Sequence, residues 1–195
     1  MRAMQMVSGS KLKRSQDRLL QARQVLEFLD GMLARVLAST ASQGGASPER
    51  SRGTTESPDH PLCQAREGGS TVVVFTSDAG LCGSYNTNLI QLTESHVRRD
   101  SARKTQLIFI GKRAWRYFTK RGYAAAEAHV DLAGRPNQAK AETIGRALMQ
   151  RFLTGQTASI GLLYSKFISP TVYRPYRQLD ITGRALGLVT SGDRS

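Results

Sequence analysis

Residues 71–121 read TVVVFTSDAGLCGSYNTNLIQLTESHVRRDSARKTQLIFIGKRAWRYFTKR, and their punctuation decides the fold. Thr71 to Thr76 is a short run of β-branched and aromatic residues without an interleaved charge, the pattern of a strand buried on both faces. A turn rich in Gly, Ser and Asp follows, and Asn86 to Arg99 then shows helical spacing. Gln106 to Ile110 repeats the buried-strand pattern, and Lys112 to Arg121 repeats the helix. Outward from this unit, Tyr123 to Val130 reads as a weak strand, Gln138 to Leu153 as a helix and Ser159 to Tyr164 as another strand. Strands alternating with helices of this length predict an α/β, Rossmann-like domain with a mainly parallel sheet, covered on both faces.

On the amino-terminal side, Arg2 to about Ala38 contains no proline, and only Gly9 and Gly31 interrupt good helix formers. One helix is expected, roughly 55 Å long at 1.5 Å per residue. Leu12, Leu19, Leu26 and Leu33 recur every seven positions, with Ser15, Ala22, Leu29 and Val36 three further on, so the seam is that of a coiled coil. A seam this long needs an equally long partner, because a lone amphipathic helix is marginal in water. The other expected helices are far shorter, so the partner must come from another chain or a segment outside this sequence. The pattern already runs at Met1 with no N-cap residue ahead of it, so the chain reads as beginning inside a helix. The resulting division is 1–38 shaft helix, 39–70 flexible linker, 71–181 α/β domain and 182–195 irregular tail. The linker contains almost no large apolar residue besides Leu62.

The 195 residues include 28 Lys plus Arg against 15 Asp plus Glu, a formal charge of +13, with 21 of the cations arginine. The partners are therefore expected to be acidic, as guanidinium forks suit carboxylates and phosphates. Up to Arg23 the helix carries six cations against Asp17. Nine cations against one acid lie between Arg98 and Arg121, with Trp115, Tyr117 and Phe118 interleaved. That patch is read as a solvated cationic face over a buried aromatic stripe of the helix. An arginine-rich nucleic-acid-binding module is the alternative. No apolar run approaches the roughly 18 residues of a membrane-spanning helix, nor does the amino terminus have the apolar core of a secretory signal. Cys63 and Cys82 form no CxxC pair and stand near no histidine cluster, which argues for a reducing compartment.

The turn Thr76 to Asn86 contains neither GxGxxG nor GxxxxGK[ST], so no nucleotide cradle is expected. Asp78 reads as a turn residue bonding its own backbone rather than as a metal ligand. Cys82 reads as a small buried hydrophobe, His96 as a surface residue and His129 as a packed one. No catalytic or metal constellation includes a histidine.

Two segments carry a family resemblance. AMQMVSGSKLKRSQDRL, from Ala3 to Leu19, is similar to the amino-terminal shaft helix of the γ subunit of F-type ATP synthases. TSDAGLCGSYNTNL, from Thr76 to Leu89, resembles the signature loop of that family, with Ala79 in place of a common arginine and Ser84 in place of a common glycine. IGKRAWRYFTKRGY and LLYSKFISPTVYRPYRQLDI resemble the second strand-helix unit and the closing strand pair. The resemblance implies a noncatalytic central-stalk rotor with no cofactor and no direct nucleotide. It implies as partners the α and β subunits of the catalytic hexamer, the ε subunit and the membrane c-ring, with the protein peripheral to the cytoplasmic face of a bacterial inner membrane or its organellar equivalent. Leu12, Leu19, Leu26, Leu29, Leu33 and Val36 would then form the seam, and Met4, Lys11, Lys13, Arg14, Arg18, Asp78, Leu81 and Cys82 would contact the catalytic subunits. The family's long carboxyl-terminal helix has no counterpart after Ile181, where TGRALGLVTSGDRS follows, so a truncated γ-like paralogue without rotary function is a further alternative.

Overall fold

The computed structural model describes residues 2–43, 67–100, 104–132, 138–169 and 172–178. These fall into two compact units. The first holds a single helix, α1 (Arg2–Gln43). It continues through residues 39–43, so the linker expected from position 39 starts no earlier than 44. The physical reason is local: Ser39 to Gln43 contains neither Gly nor Pro, and the first breaker is the Gly44–Gly45 pair.

The second unit is α/β. Its described elements run β1 (Ser70–Phe75), α2 (Tyr85–Arg99), β2 (Thr105–Ile110), α3 (Lys112–Thr119), β3 (Ala125–His129), α4 (Gln138–Leu153), β4 (Ser159–Ser169) and β5 (Val172–Gln178). The sheet order is β3-β2-β1-β4-β5. The first four of these strands are parallel, with Val73 opposite both Ile108 and Leu162, and β5 returns antiparallel to β4. The mainly parallel sheet expected from the alternation is present.

Alternate residues of the buried strands feed two core layers, as a period of two demands. Val72, Val74, Leu107, Phe109 and Leu163 meet Ala114 and Phe118 of α3, with Ile90 and Val97 of α2 at the margin. Val73, Ile108 and Ile160 meet Phe152 of α4 on the opposite face. Phe109 and Phe118 stack with centroids 5.4 Å apart, both fully buried. Each such ring contributes roughly 1.5–3 kcal/mol by leaving water. Arg151 fastens α4 to the sheet, donating to Gln106 Oε1 at 3.0 Å and pairing with Glu127, which also meets His129 at 3.1 Å.

Two side-chain expectations are corrected here. His96 is buried rather than on the surface, because it follows Leu89 and Thr93 on the α2 stripe at spacings of four and three. Cys82 is exposed rather than buried, since its turn stands clear of both core layers.

Candidate functional site

The strand order reverses between β1 and β4, and in open α/β sheets the crevice at such a point is where function concentrates. The segment leaving β1 there is Thr76 to Ser84. It is built by α3 as much as by itself. The first helical N–H groups of α3 have no intrahelical partners. Lys112 N–H donates to Asp78 Oδ1 at 3.0 Å, Arg113 N–H to the Ser77 carbonyl at 3.2 Å, and Ala114 N–H to Thr76 Oγ1 at 3.1 Å. This helix N-terminus, a position that elsewhere cradles phosphate, is thus occupied by the loop's own oxygens.

Asp78 does more than cap. Its carboxylate also accepts from Asp131 N–H at 3.2 Å and Leu132 N–H at 3.1 Å. It therefore bonds backbone N–H groups at the start of α3 and after β3 rather than its own turn, correcting the turn reading. Among the described residues no group of three His, Cys, Asp or Glu could hold a metal ion. Gly111, which precedes α3, has φ 101° and ψ 148° and its α-hydrogen faces the Thr76 carbonyl, so a side chain there would collide with the loop.

The second half of the loop is held by Asn86. Its Oδ1 accepts from Ser77 N–H at 3.0 Å, while its Nδ2 donates to Ser77 Oγ at 2.9 Å and to Cys82 Sγ at 2.8 Å. Arg113 Nε donates to the Ala79 carbonyl at 3.2 Å, with its guanidinium against Gly80. Leu81 is fully exposed at φ 62°, a left-handed conformation uncommon outside glycine. Such strain persists only where the surroundings over-determine the backbone. Here Asp78, Asn86 and Arg113 do so.

Two depressions flank the loop. One of about 270 Å³ is lined by Cys82, Tyr85, Asn88, Ser165 and Tyr173. Burial, with Cys82 and Tyr173 adding, raises the Tyr85 phenol above its ordinary range. The other, about 510 Å³, is lined by Leu81, Asn86, Ile90, Arg113 and Tyr117. Tyr117 donates to Glu94 at 3.0 Å, which raises its phenol too, and Arg121 lies over its ring at 3.7 Å. The cationic face over an aromatic stripe expected for this helix is what α3 presents: Ala114 and Phe118 are buried, while Arg113 and Arg116 are exposed.

Asp78, Leu81 and Cys82 thus share one loop. In the other unit, Lys13, Arg14 and Arg18 are exposed on α1, as are Leu12, Leu19, Leu26 and Leu29. The side chains of Met4, Lys11, Leu33 and Val36 lie outside the described residues. Val25, Phe28 and Met32 are exposed as well, at 46% or more, so the apolar band around Leu29 is wider than a two-position seam. Sequence reasoning missed Thr76, Ser77, Asn86 and Arg113. The available signal was Gly111 standing immediately ahead of a helix that lacks a capping side chain of its own.

The sequence model of the family described as ATP synthase matches residues 1–180. The chain belongs to the ATP synthase gamma-chain family. It is 35% identical over 179 residues to the ATP synthase gamma chain of Synechococcus sp. (strain RCC307), covering 90% of this chain and 53% of that one. It is 31% identical over 194 residues to the chloroplastic gamma chain of Trieres chinensis, covering 98% and 49%. The chain spans about half the length of the curated relatives it matches. Its fold is similar to a chain in the central stalk/c-ring structure of the Tetrahymena thermophila mitochondrial ATP synthase, with TM-score 0.51 and 17% identity, covering 77% of this chain and 71% of that one.

Proposed function

We propose that this gamma-family chain acts as the noncatalytic central-stalk subunit of an F-type, proton- or ion-translocating ATP synthase. It couples rotation of the membrane ring to ATP synthesis or hydrolysis in the catalytic hexamer. The observation that carries the reading is the family match over residues 1–180, which takes in both α1 and the α/β unit. Residues 1–38 serve as the shaft, with Leu12, Leu19, Leu26, Leu29, Leu33 and Val36 packing as a coiled coil. Residues 71–181 form the foot, reached from the shaft through a linker that starts no earlier than 44 and trailed by 182–195.

The physical logic of a rotor suits the charge. Lys11, Lys13, Arg14 and Arg18 offer a diffuse cationic surface to acidic levers of the α and β subunits. Screened attraction between exposed charges is shallow and long-ranged, so it guides a turning shaft without trapping it. Met4 on α1 is a further contact with those subunits, and so, in the α/β unit, are Asp78, Leu81 and Cys82, with Asp78 holding the loop and Leu81 supplying the apolar tip. The ε subunit and the c-ring are the foot's partners. The position proposed is peripheral, on the cytoplasmic or equivalent organellar face of the membrane; among the described residues no helix is long and apolar enough to cross it.

A titration tests this reading against the nucleic-acid alternative. Binding to a catalytic hexamer, with a weaker and steeply salt-dependent affinity for duplex DNA, is the expected result. Tight DNA binding with no affinity for the hexamer would overturn it.

A further inference from the structure

β4 outruns its parallel neighbour. β1 pairs with it only as far as Leu163, and from Tyr164 to Ser169 its sole strand partner among the described residues is β5, so the two make a ribbon extending past the sheet. Cross-strand partners share a face, which puts Tyr164 with Tyr176 and Lys166 with Arg174 side by side. Lys166, Arg174 and Tyr176 are exposed. Neither strand contains an Asp or Glu, and among the described residues neither Lys166 nor Arg174 has a carboxylate at ion-pair distance. Like charges set directly opposite each other destabilise a ladder. The fold therefore carries an electrostatic cost here that a carboxylate placed between the two cations would cancel.

We propose that this face of the ribbon docks an acidic segment of a partner protein, with a carboxylate seated between Lys166 and Arg174 and the Tyr164–Tyr176 pair packing against it. Tyr and Arg are the side chains that dominate protein contacts energetically. Two features decide against other occupants. The tyrosine rings meet at 63° with centroids 5.5 Å apart, and Lys166 Nζ lies 5.5 Å from the Tyr176 ring centre, so the pair offers an edge and an occupied face rather than flat platforms for bases. Pro175 on the edge strand lacks an N–H, which blunts the edge against strand addition and leaves recognition to side chains. The residues of this surface are not those of the proposed seam or of the loop after β1, and the proposal does not rest on their roles.

The test uses the full chain and a fluorescein-labelled, glutamate-rich peptide carrying leucine, followed by anisotropy. Lys166→Glu is the informative variant, because it places a carboxylate opposite Arg174 within the ribbon. It is expected to weaken the peptide about tenfold or more while leaving the melting temperature unchanged or higher. Lys166→Arg should retain binding, and Lys120→Glu, which removes equal charge from an exposed site on another element, should stay within about twofold. Tyr176→Ala should weaken the peptide with no change in charge. Equal losses in Lys120→Glu and Lys166→Glu would overturn the proposal in favour of diffuse attraction. Oligo-dT or phosphatidylglycerol vesicles binding more tightly than the peptide, with the same dependence on Tyr176, would overturn it in favour of nucleic acid or membrane.

Discussion

Asp78 accepts hydrogen bonds from three backbone N–H groups, one at the start of α3 and two in the segment after β3, a convergence that only a carboxylate can satisfy fully. Asp78→Ala should leave those donors unpaired and cost about 1–3 kcal/mol for each that water cannot reach, read as a lower urea midpoint with unchanged slope. Gly111→Ala should be at least comparably damaging, because its φ and ψ belong to a region essentially reserved for glycine and its α-hydrogen faces the Thr76 carbonyl. The phenols of Tyr85 and Tyr117 are both raised above the ordinary value of 10.0. A group with a raised folded pKa lends stability below its unfolded pKa that disappears as pH climbs through the folded one. The alkaline limb of a stability–pH curve above about pH 10 should therefore flatten in Tyr85→Phe. At this scale the sequence is a poor guide. Asp78 in isolation is an ordinary turn residue, and nothing near it in the chain names Lys112, Asp131 or Leu132 as its partners. His96 looked exposed because its neighbours Glu94 and Arg98 are charged, whereas its spacing from Leu89 put it in the core.

The elements were far more legible. The Val72–Phe75 and Leu107–Ile110 runs admit only buried strands, and the helices between them leave a parallel crossover as the natural connection. α4 was legible to the residue, Gln138 to Leu153. β4 was read short, at Tyr164, because Ser165 and Lys166 break its apolar run, and that outer half is paired, among the described residues, by β5 alone. On α1 the prediction is an ordering. Leu19→Asp or Leu26→Asp buries an unpaired carboxylate if the seam packs as proposed, costing several kcal/mol, and should abolish hexamer binding. Single changes among Lys13, Arg14 and Arg18 should each shift affinity by no more than about 1 kcal/mol, with losses that vanish at high salt. The hexamer-bound fraction after gel filtration reads both classes, and equal mild effects would deny the helix a coiled-coil role.

For the whole molecule, family membership and charge point the same way. A chain of formal charge +13 with exposed leucines along a 42-residue helix has surfaces that acidic, apolar-faced partners would complete. The most direct test is to purify the tagged native chain from detergent-solubilised membranes of its own source and identify what accompanies it. The account predicts catalytic α and β subunits, ε and the c-ring subunit in fixed ratio, retained through a moderate salt wash. A chain recovered without hexamer subunits, or with nucleic acid in their place, would contradict it.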